Sequence, residues 1–101
     1  MDIPASVKVL GFHYPLEIVR GLVSDGVECV GVCRNRELVI RLDDTYPGQQ
    51  VRSTLIHEML EALKEQLQLK IDHTTLGLLE VGINSILVDN PDFVAMYLEA
   101  K

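Results

Sequence analysis

Apolar and polar residues follow two different rhythms along this chain. Between residues 6 and 43 the apolar positions come in short runs or alternate one by one, the period of half-buried strands. Val7, Val9 and the run from Tyr14 to Val19 predict two extended segments joined near Gly11. Pro15 lacks an N–H to give to a ladder, which favours an edge position for its strand. Ser24-Asp25-Gly26 marks a turn. Beyond it, Glu28 to Cys33 and Glu37 to Leu42 predict a hairpin across Arg34-Asn35-Arg36. In its second arm Leu38, Ile40 and Leu42 alternate with Val39, Arg41 and Asp43, a pattern that predicts one buried face.

The segment Asp43-Asp44-Thr45-Tyr46-Pro47-Gly48 breaks that rhythm, and apolar residues then recur every three or four positions. A helix is expected from about Gln49 to Leu69, with Ile56, Met59, Leu60, Leu63 and Leu67 as its apolar stripe. His57, Glu61 and Lys64 lie on one shoulder of that stripe, with Glu58 further round. Lys70 to Thr74 is a short connection in which Asp72 or Thr74 can cap the next helix. That helix runs from about Thr75 to Val88, with Leu76, Leu79, Ile83 and Leu87 inward. Pro91 opens a last short helix, Asp92 to Ala100. The expected fold is a single α+β domain over residues 1–101. Antiparallel β-hairpins form a small sheet in a strand-rich part (6–43), followed by a helical part (49–100) of two antiparallel helices and a short C-terminal one.

A chain of 101 residues with 48% hydrophobic content has enough apolar surface for one modest core. The net charge of −6, with scattered Lys and Arg, argues against nucleic acid and against acidic membrane surfaces as ligands. No apolar run approaches a membrane span. Met1-Asp2-Ile3-Pro4 has neither the basic start nor the apolar run of a signal peptide, so a cytoplasmic setting is expected. Cys29 and Cys33, four apart on a strand, would stand roughly 13 Å apart, too far for a disulfide. They read as a reduced structural pair.

The residues that carry chemistry are His57-Glu58-Met59-Leu60-Glu61. The spacing is that of the H-E-x-x-H helix of metalloproteases, with Glu in place of the second His. In the intact motif two imidazoles one turn apart hold zinc, and the intervening Glu takes a proton from the water that the metal activates. Glu80 adds to the picture because it falls inside the apolar stripe of the second helix, where an ionised carboxylate implies a cation nearby, either a metal or a basic side chain. With the helices folded back on each other, Glu80 comes opposite Glu61 and Ala62. His57, Glu61 and Glu80 are thus the expected metal ligands and Glu58 the expected catalytic base. His73 is placed as an outer support or alternative ligand. The plainer account is an i, i+4 His–Glu ion pair in water, worth about 0.2–0.5 kcal/mol.

Ser53-Thr54-Leu55-Ile56-His57-Glu58-Met59-Leu60-Glu61-Ala62, Asp72-His73-Thr74-Thr75-Leu76 and Ile86-Leu87-Val88-Asp89-Asn90-Pro91 together resemble segments of short phage and prophage proteins related to ImmA/IrrE-type zinc metallopeptidases. The resemblance covers roughly residues 6 to 93 and is firmest on the motif helix. It implies a minimal zincin-like fold, and a small metalloprotein acting as a metal-dependent peptidase with an altered metal site. His57 would be the first ligand, Glu58 the base, Glu61 the residue at the second-histidine position and Glu80 a third ligand. A divalent metal is implied, zinc first. An extra carboxylate shifts preference toward a harder ion, so manganese is second. The implied partner is a protein or peptide, laid along Glu37 to Leu42 as an edge strand, and the implied location is the cytoplasm of the host cell. Two alternatives stay open. One is an inactive phage accessory protein that binds a host or phage protein, its acidic surface suiting a basic partner. The other is a structural or assembly protein in which Phe93 to Leu98 packs on a second copy.

Overall fold

A computed structural model describes residues 2–99 as a four-stranded sheet, a small two-stranded ribbon and three helices. The elements in chain order are β1 (Ser6–Val9), β2 (Phe12–Ile18), β3 (Val23–Ser24), β4 (Val27–Glu28), β5 (Gly31–Arg34), β6 (Val39–Leu42), α1 (Gly48–Leu67), α2 (His73–Asp89) and α3 (Pro91–Glu99). The α+β class and the order of strands before helices agree with the sequence pattern. Ala100, expected to close the last helix, lies outside the described residues.

The strand order is β1-β2-β6-β5. The first expected hairpin forms, β1 with β2 around the positive-φ pair Leu10 and Gly11. The second forms as β5 with β6, but its expected first arm Glu28 to Cys33 is broken, because Glu28 pairs in β4 with β3 and Cys29 and Val30 lie outside the strands. The second hairpin inserts its far arm beside the first, so β6 pairs in parallel with β2, Leu16 opposite Ile40. This makes β6 an interior strand. The expectation of an edge strand at Glu37 to Leu42 is therefore corrected: β5 is the free edge on that side. The single buried face is corrected too. Val39, Ile40 and Leu42 are all buried, so both faces of the strand carry covered residues, and Leu38 leaves the strand at φ 54 to close the turn. Pro15 also sits in an interior strand, not an edge. It is tolerated because the β2–β6 ladder begins only at Leu16, while Pro15 lies opposite Ser6 of β1.

α1 lies between the sheet and α2. Its deepest residues are Val51, Glu58 and Ala62, which at about 100° per residue share one line facing the sheet. The larger stripe read from the sequence is centred more than a third of a turn away, with Met59 and Leu63 packed at the margin of the core. Ile56 and Leu60 line a groove with Ile83 and Leu87 of α2, and Leu67 is exposed. Size misled the sequence reading here, because the closest approach to a sheet favours a small residue such as Ala62. The same closeness explains Gly31. A Cβ there would stand 2.7 Å from the Thr54 methyl and 2.9 Å from a Leu42 methyl.

Buried Val9, Tyr14, Ile40, Leu42, Val51 and Ala62 form the core. Gln66 ties α1 to the first hairpin, its amide donating to the Val9 carbonyl (3.1 Å) and the Tyr14 hydroxyl (2.9 Å). The buried Asp43 carboxylate fastens the loop after β2 to the start of the helical part. It accepts from the amides of Gly21 (2.8 Å), Leu22 (3.2 Å) and Thr45 (3.0 Å), and from the Thr45 hydroxyl (2.5 Å). These donors, the Thr45 hydroxyl foremost, draw its pKa down to about 2.

Two outcomes follow. Gly31→Ala must push α1 or Leu42 aside and should lower unfolding stability by about 1–3 kcal/mol. Urea denaturation would measure it, and an unchanged midpoint would mean the gap yields freely. For Asp43 the folded pKa lies below the ordinary 3.8. Its stabilisation is complete above that value and fades as pH falls through about 2. Asp43→Asn should be less stable than wild type at neutral pH and should lose less stability on acidification across that window. Parallel melting curves for the two proteins would reject this role.

Candidate metal centre

The spacing of the motif places His57 and Glu61 one turn apart on the flank of α1 beside the β5 edge, and Glu58 one residue on, turned under the helix toward the sheet. His73 is the first residue of α2, fixed there because the Asp72 carboxylate accepts the Thr75 amide at 2.7 Å and caps the helix. His57 Nε2 lies 3.7 Å and His73 Nδ1 3.8 Å from Glu61 Oε1. The imidazoles of His57 and His73 meet edge to face, centroids 5.1 Å apart. One ligand atom from each of His57, Glu61 and His73 falls within 4.8 Å of the others, so this group can hold a metal ion.

Glu80 reaches the same histidine from behind. Its Oε1 lies 2.9 Å from His57 Nδ1, and its Oε2 accepts the Ser53 hydroxyl at 2.5 Å. An ionised Glu80 takes Nδ1–H as a donor and leaves the His57 lone pair on Nε2, the nitrogen that faces Glu61. The structure thus brings Glu80 to His57 and gives both of its oxygens protein partners. Of the two residues from α2, it is His73 whose ligand atom gathers with those of His57 and Glu61. Glu80, expected as a third ligand, contacts His57 and Ser53, and His73, expected as an outer support or alternative ligand, joins the gathered group.

Glu58 is almost fully buried at 7% exposure. Burial, and secondarily the nearby Glu61 charge, push its pKa up to about 7, although the neighbouring Cys33 amide opposes the rise. Glu58 therefore titrates near neutrality, beside the β5 edge. A cleft of about 310 Å³ opens between them, lined by Gly31, Val32 and Cys33 of β5 and by His57, Glu58, Glu61 and His73.

Cys29 and Cys33 are both free thiols at this cleft, in accord with the reduced pair read from the sequence. Burial raises the Cys33 thiol to about 12, helped by the Glu58 charge, and raises Cys29 less. A protonated thiol is a poor nucleophile. Both should react slowly with a disulfide reagent at about pH 8 in the folded protein and fast in denaturant. Rapid native labelling of Cys33 would contradict its burial.

Among the described residues no helix is long and apolar enough to cross a membrane. Comparison with protein families, with curated proteins and with solved structures finds no match for this chain.

Proposed function

We propose that this chain is a small metalloprotein in which His57, Glu61 and His73 hold a divalent cation and Glu58 serves as the base for peptide hydrolysis. The observation that carries the reading is the approach of three donor atoms from two helices to within 4.8 Å of one another. Two imidazoles and one carboxylate form a donor set used by catalytic zinc sites, which keep a further position open. This favours zinc over manganese, since imidazole suits zinc and an all-oxygen set would suit the harder ion. Bound there, zinc would polarise a carbonyl and make a water more acidic.

The remaining chemistry belongs to the chain's own residues. Glu80, held by Ser53, keeps the His57 ring turned with Nε2 toward the site. Glu58, its pKa raised by burial to about 7, can accept a proton at its carboxylate near neutral pH. Strand β5 borders the cleft as a free edge, so an extended peptide can add to it by backbone hydrogen bonds. The likeness of the motif helix to ImmA/IrrE-type metallopeptidases supports the same reading. One observation favours a second reading, a binding protein without hydrolysis: the free β5 edge at the cleft can seat an extended peptide whether or not a bond is cut.

Calorimetry on chelator-treated protein at about pH 7.5 should show one zinc site. His57→Ala or His73→Ala should abolish it, and Glu80→Gln should weaken it about 10–100-fold, the usual cost of losing a group that orients a ligand. Glu58→Gln should leave zinc binding in place while reducing hydrolysis of an unstructured casein-type substrate by about 10²–10⁴-fold. No heat with zinc would reject the metal centre. Zinc binding without hydrolysis would reject catalysis and leave the second reading.

A further inference from the structure

α2 is apolar on nearly every side, although only one side is packed. Leu76 is buried, and Ile83 and Leu87 line the groove against α1. On the opposite side Leu78, Val81 and Val88 stand 69%, 64% and 50% exposed. With Ser85 they occupy positions spaced three, four and three apart, the spacing by which one helix receives the side chains of another. Gly77 and Gly82 flank this outer line, and added Cβ atoms there would meet nothing within 4 Å. A second helix can therefore come close. α3 continues the exposed apolar surface, with Phe93 and Tyr97 on one face, ring centroids 6.3 Å apart, and Met96 beside them at 59% exposure. A helix apolar all round is ordinarily covered.

Charge narrows what covers it. Residues 71–99 contain five acidic residues, Asp72, Glu80, Asp89, Asp92 and Glu99, and no Lys or Arg. Of these, Asp89, Asp92 and Glu99 sit at the ends of α2 and α3, bordering the apolar surface. A second copy would bring the same acidic border against itself. An anionic membrane would be repelled as well, since surface-lying helices bind such lipids through Lys and Arg.

We propose that the outer face of α2, continued by α3, docks an amphipathic helix of a partner protein whose apolar stripe is bordered by Lys or Arg. The apolar line provides the seat and the acidic border selects the partner's charge. The docking face lies on the far side of α2 from Leu76 and does not depend on a metal at His57, Glu61 and His73.

The test uses a labelled synthetic helix of Leu in heptad positions with Lys elsewhere, and a twin with Glu in place of Lys. Anisotropy with the full chain, in chelator, should show saturable one-to-one binding of the Lys helix, weakened by added salt. The Leu78→Asn, Val81→Asn double variant changes only exposed side chains, and its fold is checked by circular dichroism. It should bind about tenfold or more weakly. The Glu twin should not bind. Several results would overturn the proposal: no binding of the Lys helix, equal binding of the twin, or binding unchanged in the folded variant. So would a wild-type dimer in sedimentation, or attachment to phosphatidylglycerol vesicles, that the same substitutions abolish. The first of these last two would assign the face to a second copy and the other to a membrane.

Discussion

A carboxylate taken out of water must find donors, and Glu80 finds them on the neighbouring helix. Its two oxygens bridge Ser53 and His57, four residues apart on α1. This contact fixes how α2 lies on α1, brings the start of α2 to the flank that carries Glu61, and so decides where His73 stands. It also turns the His57 ring. Without the bridge the helices would still share apolar side chains, but greasy contacts slide, and the directional bond between two helices is what gives them one register.

The second constraint is the layering around α1. One side meets the sheet closely enough to need Gly31 opposite Thr54 and Ala62 at its centre, while the other side receives α2. The cleft exists because the helix is packed on both sides while its flank beside β5 stays open. Glu58 lies at the boundary between the covered and the open surface. It is buried enough for its charge to be penalised, yet it still borders the cleft beside the edge strand.

Much of this was legible in the residues. Alternation and turn signals gave both hairpins but not the break in the second one's first arm, the three-and-four rhythm gave the three helices, and Asp72 and Pro91 marked the starts of two of them. His57, Glu58 and Glu61 were marked by spacing, and Glu80 by a charge in an apolar stripe. What could not be read was what local pattern does not encode. The parallel pairing of β2 with β6 joins residues more than twenty positions apart, so no turn specifies it. The sheet-facing line of α1 was hidden because Ala62 is too small to stand out against the neighbouring Leu and Ile stripe and Glu58 is charged. Asp43 looked like one more polar turn residue, although it gathers donors from two loops. Its signal was present in the pairing of Asp43 with Thr45 two positions on, a spacing at which a side-chain oxygen commonly accepts the backbone N–H.

Because β6 enters between strands made earlier, the sheet cannot zip up in the order in which the chain is written. The β1–β2 hairpin closes across two residues and can form at once, but one side of β2 keeps bare N–H and C=O groups until residues 39–42 slot in beside it. Closure across that distance is slow relative to a local turn. During synthesis or refolding, the nascent first hairpin thus passes through an interval with an open edge, the kind of surface on which chains misassociate. The charged side chain of Glu17, opposite Arg41 once β6 arrives and holding it at 2.9 Å, stands on that waiting edge and discourages the wrong strand from taking the place.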